Sequence, residues 1–279
     1  MLALVPRVVD ALFAAFEPQI PEREQPQHPL GCHRPRIADR DVFEAILFRL
    51  VTGCSWDVAG RLGKGSETTL RNRYNDWNAS GAFDALVDEA IDGYDRILGL
   101  DLSEASVDGS VHKAPCGGEG TGKSPVDRGK SGWKWSLLCD RSGIPVGWAT
   151  DGANRNDQAL LEPTLADAGR SGLLADVETL HLDRGYSGNP VLETCHNYGI
   201  EDVVRAPKRP RGRTRCTPVA VPLGMRWTIE RTNSWLSNFG QLRRSTDRNT
   251  KARLGQLALA IAVIITVKLF KWADRWNHT

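Results

Sequence analysis

From about residue 100 the chain changes from helical patterns to short runs in which apolar and polar residues alternate. Alternation with a period of two is typical of β-strands, whereas the longer runs between them have helical spacing. The predicted strands cover 102–111, 133–140, 144–151, a run ending at 183 and 201–206; the predicted helices cover 156–168, 188–198, 226–239 and 250–275. The order βββαβαβα predicts an α/β fold in which a mixed sheet is flanked by helices.

The N-terminal part has a different pattern. Residues 1–20 are compatible with a short amphipathic helix, and 21–37 contain four prolines, which predicts a linker. Three helical segments follow within 38–99, and the third, 66–79, is a candidate recognition helix of a helix-turn-helix. We therefore expect an N-terminal helix and linker at 1–37, a helical DNA-binding domain at 38–99 and an α/β domain at 100–279.

The candidate recognition helix carries Leu70, Tyr74 and Trp77 with the spacing of a buried stripe. Arg71 and Arg73 lie off that stripe, so we expect them to point outward and read base edges. Pattern alone equally allows a three-helix packing unit whose arginines are only solvated.

Three acidic residues stand out by position. Asp108 and Asp183 each end an apolar strand run, and Glu230 lies in a helical stretch that can cross the strand ends. Carboxylates without matching His or Cys are hard ligands that suit Mg²⁺ or Mn²⁺. The three together could hold two ions for an in-line displacement at phosphorus. On spacing alone, two turn aspartates and a solvated glutamate remain an alternative.

Basic charge is concentrated near the C-terminus. Residues 201–279 contain 16 Lys and Arg against 5 Asp and Glu, whereas 1–200 are net acidic. The segment 205–215 (RAPKRPRGRTR) has no acidic residue and is interrupted by Pro and Gly, so we expect a loop that contacts DNA phosphates; a solubilising surface loop is the alternative. The candidate DNA contacts are Lys208, Arg209, Arg211, Arg213, Arg215, and Arg226 and Arg231 on either side of Glu230.

The segment GGEGTGKS at 117–124 matches the phosphate-binding loop of NTPases. That loop requires a helix that begins at its Gly-Lys-Ser, and here Pro125 and two further glycines follow. We therefore expect no nucleotide cofactor and no helix starting at Lys123.

Compartment and membrane association follow from two weaker patterns. Six cysteines without a C-x-x-C pair are typical of reduced thiols in a cytoplasmic protein. The longest apolar run, 257–267, is shorter than the roughly 20 residues that cross a bilayer. We expect a buried helix there and no membrane partner.

Several motifs occur together in one order: VDGS at 107–110, the stretch 124–157, LHLDRGY at 180–186, R-x-x-x-E-R-T-x-x-W-L at 226–236 and FGQLRRSTDR at 239–248. With these motifs, residues 105–275 resemble DDE-type bacterial insertion-sequence transposases of the insertion-sequence-five-like group. A Lys or Arg that this family often has seven residues after the Glu is replaced by Ser237, and Arg243 or Arg244 can supply that charge at the DNA end.

The resemblance implies a ribonuclease H-like fold with Asp108, Asp183 and Glu230 as a catalytic triad that uses two Mg²⁺ or Mn²⁺ ions. It implies a homodimer that cleaves element ends and joins them to target DNA. A metal-dependent nuclease without strand transfer and a non-catalytic DNA-binding descendant are the alternatives.

Overall fold

A computed structural model describes residues 5–22, 36–62, 65–205 and 226–276 of the 279-residue chain. These residues form two compact units. Unit 1 combines Met1–Ile97 with Leu236–Thr279, and unit 2 is Leu98–Trp235. This division differs from the predicted one, because the C-terminal residues from 236 belong with the N-terminal helices rather than with the sheet.

Unit 2 is built around a mixed sheet. Its strands are β1 (Glu104–Lys113), β2 (Gly122–Lys123), β3 (Ser131–Cys139), β4 (Pro145–Gly152), β5 (Thr179–Leu182) and β6 (Asp202–Arg205). The helices of this unit are α6 (Gln158–Arg170), α7 (Asn189–Asn197) and α8 (Arg226–Leu236), numbered in chain order after five helices of unit 1. The predicted order of strands and helices is confirmed; the sequence did not predict the two-residue β2.

Strand order and direction identify the fold. β1 pairs antiparallel with β3, and β3 pairs antiparallel with β4. On its other side β1 pairs in parallel with β5, which pairs in parallel with β6. A sheet of order β4-β3-β1-β5-β6 with helices packed on it is the ribonuclease H-like arrangement, so the predicted fold class is confirmed.

Helices α6 and α8 lie on opposite faces of this sheet. On β3, Trp135 Nε1 donates to Asn233 of α8 at 2.8 Å, and the neighbouring Lys134 Nζ donates to Asp157, just before α6, at 2.6 Å. Successive strand residues point to opposite faces, so the two contacts assign one helix to each face. α6 packs closely because Gly147 of β4 leaves room for Ala168, which would lie 2.7 Å from an added Cβ.

Unit 1 is helical. Its helices are α1 (Pro6–Phe16), α2 (Asp39–Thr52), α3 (Trp56–Gly60), α4 (Glu67–Ala79), α5 (Ala82–Leu98), α9 (Gly240–Arg243) and α10 (Thr250–Trp276). Ser55 and Ser66 cap α3 and α4 by accepting hydrogen bonds from backbone amides. Gly53 ends α2 in the left-handed region, at φ 76°. The three helical segments predicted within 38–99, the third of them at 66–79, are thereby confirmed as α2, α3 and α4, and α5 was not predicted.

The C-terminal helix α10 explains why residues 236–279 belong to unit 1. Its residues from Ala252 to Ile265 are mostly buried, as predicted for the apolar run. Tyr74 of α4 donates to the Ala252 carbonyl at 2.5 Å, and Asn78 donates to the Lys251 carbonyl at 2.9 Å. By length and composition α10 could cross a membrane, but 61% of its most apolar window is buried inside the protein.

The loop that resembles an NTPase motif contains no helix. Gly122 and Lys123 form β2 and pair with Gly132 and Ser131 of β3, so the expectation that no helix starts at Lys123 is confirmed. Gly122 is required by packing, since a Cβ there would overlap the side chain of Asn154. Among the described residues, Cys54, Cys116, Cys139 and Cys195 form no disulfide.

Candidate active site

The sheet brings two of the predicted acidic residues to neighbouring positions. The parallel ladder between β1 and β5 ends at the pair Val107 and Leu182. Asp108 and Asp183 each come one residue later, and both are half-buried. Adjacent strands lie about 4.8 Å apart, so the two aspartates occupy neighbouring backbone positions just beyond the last pair of this ladder.

The third acidic residue lies on the helix that bonds to the first. Asn233 of α8 donates to Asp108 Oδ2 at 3.2 Å and accepts the bond from Trp135. Glu230 precedes Asn233 by three residues on the same helix and is exposed. Positions three apart on a helix are neighbours, about 5–6 Å between Cβ atoms, so Glu230 lies on the side of α8 that approaches Asp108.

Asn233 is a site residue that the sequence did not reveal. It is buried, and its amide bridges Trp135 of β3 to Asp108 of β1. In the sequence it is an ordinary polar residue of a helix. The available signal was its spacing of three from Glu230, which places both on one helix face.

The surroundings of the aspartates are anionic. Burial raises the pKa of the Tyr186 phenol, and the nearby charges of Asp157, Asp108 and Asp183 raise it further. Tyr186 is therefore neutral and cannot serve as an anion near the site. On the same strand as Asp108, burial lowers the pKa of His112 to about 3, and its ring stacks on Trp135 at 3.7 Å between centroids. A neutral His112 adds no positive charge near the aspartates.

The donor set suits a hard divalent cation. Asp108, Asp183 and Glu230 offer carboxylate oxygens only, as Mg²⁺ and Mn²⁺ prefer. Among the described residues, no three His, Cys, Asp or Glu side chains are already gathered closely enough to enclose an ion. Glu230 is exposed on α8. Close convergence of the three carboxylates stays a prediction.

Two predicted DNA contacts, Arg226 and Arg231, flank Glu230. The structure describes the side chain of Arg231 but not that of Arg226. Arg231 donates to the Ser142 carbonyl at 2.8 Å, and its guanidinium lies over the rings of Trp227 and Trp235, at 4.5 and 4.7 Å from their centroids. These contacts hold the guanidinium of the half-buried Arg231 against its neighbours, and its contact with DNA stays a prediction. Arg226 begins α8, but its side chain lies outside what the structure describes.

The prediction that Arg73 points outward is wrong in this structure. Arg73 is only 6% exposed, and it forms an ion pair with Asp39 and donates to the Ile37 carbonyl at 3.0 Å. Its helix face is covered by the start of α2, which the periodicity of 66–79 alone does not reveal. Arg71 is exposed and pairs with Glu67 one turn earlier, at 3.2 Å. Exposed pairs of this kind are weak, so Arg71 stays accessible to a phosphate or base.

The remaining predicted DNA contacts fall into two groups. Arg243 and Arg244 are exposed at the end of α9 in unit 1, whereas the three acidic residues belong to unit 2. Arg205 is exposed and donates to the Gly188 carbonyl at 3.1 Å. The rest of the basic segment, Lys208, Arg209, Arg211, Arg213 and Arg215, lies outside the described residues.

Fold and site together define a ribonuclease H-like protein with two aspartates directly after the last paired residues of two neighbouring parallel strands, and a glutamate on the helix that bonds to the first. Residues 100–265 match the family model described as "Transposase DDE domain", and residues 8–87 match one described as "Putative transposase of IS4/5 family". Since the first match covers more than half of the chain, the protein belongs to the DDE transposase family of insertion sequences.

Two proteins of Burkholderia cepacia are similar in sequence. The chain is 31% identical over 151 residues to a "Putative transposase for insertion sequence element IS402", which covers 52% of this chain and 67% of that protein. It is 31% identical over 121 residues to the "Insertion element IS402 uncharacterized 16.2 kDa protein", covering 43% and 82% of the two chains. Among solved structures, a pre-cleavage Mos1 transpososome aligns at 12% identity with a TM-score of 0.27, covering 95% of this chain and 88% of that one.

Proposed function

We propose that this transposase cleaves phosphodiester bonds at the ends of an insertion element and joins the freed 3′ hydroxyl to target DNA. The observation that carries the proposal is the placement of Asp108, Asp183 and Glu230. The two aspartates come directly after the last pair of the ladder between β1 and β5, and Glu230 lies on the helix that is bonded to Asp108 through Asn233. The Burkholderia relative is named for an insertion sequence, so the ends of such an element are the natural substrate.

The three carboxylates would hold two Mg²⁺ or Mn²⁺ ions. Bound there, such ions would polarise the scissile phosphate and stabilise the charge that develops on the entering and leaving oxygens. The protein itself contributes rigidity. Asp108 is part of a ten-residue strand paired on both sides, and Asn233 fixes one of its carboxylate oxygens at 3.2 Å.

Hydrolysis of a phosphodiester at the element end would leave a 3′ hydroxyl. In the second step that hydroxyl attacks a target phosphate and displaces a target 3′ oxygen, so one phosphodiester forms as another breaks. Both steps are displacements at phosphorus, and the same carboxylates serve both. We further propose that a homodimer, one copy on each end, performs these steps in the cytoplasm.

A strand-transfer assay tests this proposal against its two rivals. The DNA on either side of the reading frame supplies the terminal inverted repeat, from which labelled end duplexes are made. Incubation with the protein, Mg²⁺ and a plasmid target should give both a cleaved end and an end joined to the plasmid. Cleavage without joining would identify a nuclease, and binding without cleavage in either Mg²⁺ or Mn²⁺ would identify a non-catalytic DNA-binding protein.

The basic segment around 205–215 is proposed to contact DNA phosphates. Replacing Arg211 and Arg213 with Gln should weaken binding to end and random duplexes alike, because phosphate contacts carry no sequence information. If both arginines bind phosphates, the slope of log K against log salt should become shallower by roughly 1.8, or about 0.9 for each phosphate that is no longer neutralised. Fluorescence anisotropy between low and moderate salt measures the slope.

A matched variant for this measurement replaces two exposed arginines elsewhere, Arg96 and Arg170, with Gln. It changes the net charge equally, so it controls for long-range attraction of the polyanion. An equal change of slope in both variants would show that overall charge, and not this segment, binds the phosphates.

A further inference from the structure

The residue just before α6 contacts the backbone segments of both candidate catalytic aspartates. Asp157 Oδ1 lies 2.7 Å from where a Cβ of Gly109 would be, and its Oδ2 lies 3.6 Å from the corresponding position at Gly185. Gly109 follows Asp108, and Gly185 comes two residues after Asp183. One carboxylate therefore packs against both segments, and a side chain at 109 would displace it.

The Asp157 carboxylate is held from the sheet by a buried cation. Lys134 of β3 donates to Asp157 Oδ1 at 2.6 Å and to the Arg155 carbonyl at 2.9 Å. The Lys134 side chain is 5% exposed, whereas that of Asp157 is 40% exposed. A buried ammonium is strongly destabilising unless it is paired and hydrogen-bonded. The contacts with Asp157 and Arg155 therefore stabilise the buried Lys134 side chain. The two hydrogen bonds of Lys134 connect the start of α6 to β3, and β3 pairs directly with β1.

The next residue, Gln158, is hydrogen-bonded to the loop that contains Asp183. Gln158 Nε2 donates to the Gly185 carbonyl at 2.8 Å and to the Ser187 carbonyl at 3.0 Å. Within the loop, the Tyr186 amide donates to the Asp183 carbonyl at 3.0 Å, and the Tyr186 ring is buried. The loop is therefore closed on itself and tied to α6.

The sheet alone does not fix Asp183. β5 is four residues long, and its ladder with β1 ends at Val107 and Leu182, one residue before both aspartates. Beyond that pair, the contacts of Asp157 and Gln158 connect the loop of Asp183 to the strand of Asp108.

We propose that Lys134, Asp157 and Gln158 form a clamp that positions Asp183 beside Asp108, a role that rests on the proposed function of those aspartates. Asp157 acts here as a positioning residue. Its Oδ1 accepts a hydrogen bond from Lys134, and the positive charge of Lys134 offsets the negative charge of the Asp157 carboxylate. Gln158 transmits the position of α6 to the loop through two backbone carbonyls.

The test uses the full-length protein and a substitution that removes only the grip on the loop. Gln158→Leu keeps the size of the side chain but has no donor for the Gly185 and Ser187 carbonyls. Glu162→Gln is the matched control, since Glu162 is an exposed residue of the same helix. Hydrogen–deuterium exchange of the 183–188 amides, above all that of Tyr186, reports loop opening without requiring metal or DNA.

We expect Gln158→Leu to accelerate exchange at 183–188 by at least about tenfold, with β1 and thermal unfolding unchanged, as in a locally opened segment. Its dissociation constant for Mn²⁺ alone, measured by calorimetry, should rise by about 10–100-fold, as outer-shell changes do at metal sites. Asp157→Asn should have the same two effects, and Glu162→Gln neither. Gln158→Glu is the second variant if Gln158→Leu is poorly folded, because it also lacks the donor.

Two results separate this inference from the proposed function. Wild-type exchange rates at 183–188 in Gln158→Leu, or in Gln158→Glu if the first variant is poorly folded, would overturn the clamp, whatever the metal data show. A wild-type protein that binds no Mn²⁺ and cleaves no DNA would overturn the proposed function, and the exchange measurement would still decide whether the clamp exists.

Discussion

Replacing Asp108 with Asn, Asp183 with Asn or Glu230 with Gln is expected to reduce Mg²⁺-dependent DNA cleavage by about 10³-fold each. The amide preserves the shape of the side chain but removes the charge that a divalent ion requires. Losing a ligand removes several kcal/mol of charge stabilisation, and each 1.4 kcal/mol is about a tenfold change in rate. Single-turnover cleavage of a labelled end duplex measures the effect.

Binding separates loss of chemistry from loss of structure in these variants. In EDTA each variant should bind the end duplex with nearly wild-type affinity, because the triad carboxylates repel DNA phosphates rather than attract them. Asp176→Asn, an exposed aspartate of the same unit, is the matched control and should cleave normally. If any of the three triad variants cleaves at the wild-type rate, that residue does not belong to the triad.

Local patterns were sufficient to propose the triad, because Asp108 and Asp183 each end an apolar run and Glu230 lies on a helix whose period is visible in the sequence. Asp108 and Asp183 follow apolar runs of period two, and the register of parallel strands then brings them together. Glu230 required only that its helix cross the strand ends. Such inferences need no knowledge of side-chain partners.

The contacts between side chains of different elements around the site could not be predicted from the sequence. Lys134 reads as a polar residue between two tryptophans, and Asp157 as a loop residue before a helix, yet they meet from positions 23 residues apart. Arg73 shows the same limit of prediction from sequence, here for a residue that was expected to be exposed. Its position off the apolar stripe predicted exposure, but Asp39 on the neighbouring helix supplies a buried ion pair. Pairing across elements depends on how helices pack, which periodicity does not encode.

The division into units was missed for a similar reason. The sequence places α10 next to the catalytic motifs, so contiguity predicted one domain from 100 to 279. Helix α10 instead packs with the N-terminal helices, where Gly240 and Gly53 let two backbones come into direct contact. The chain leaves unit 1 and later returns to it, and the amino-acid composition does not reveal where it returns.

Breaking one buried ion pair in unit 1 should have the largest effect on stability. Arg49 is 1% exposed, and its guanidinium contacts both carboxylate oxygens of Asp247, at 3.0 and 3.3 Å. It also donates to Thr246 Oγ1 at 3.0 Å and lies over the Trp56 ring, 4.1 Å from its centroid. Arg49→Met would leave the Asp247 carboxylate, 11% exposed, without its cation. We expect the free energy of unfolding to fall by about 3–5 kcal/mol, as when one partner of a buried pair is removed.

The double variant makes this a test of unit 1 itself, because Arg49 and Asp247 are 198 residues apart in the chain. If the C-terminal segment packs with the N-terminal helices, Arg49→Met and Asp247→Asn must be coupled, and the double variant should lose much less than the sum of the single losses. Arg61→Met is the matched control, because its pair with Asp57 is exposed and worth about 0–1 kcal/mol. Urea unfolding followed by circular dichroism gives all four values of the cycle. Additive losses would mean that the two residues do not meet in solution, and the assignment of Leu236–Thr279 to unit 1 would then fail.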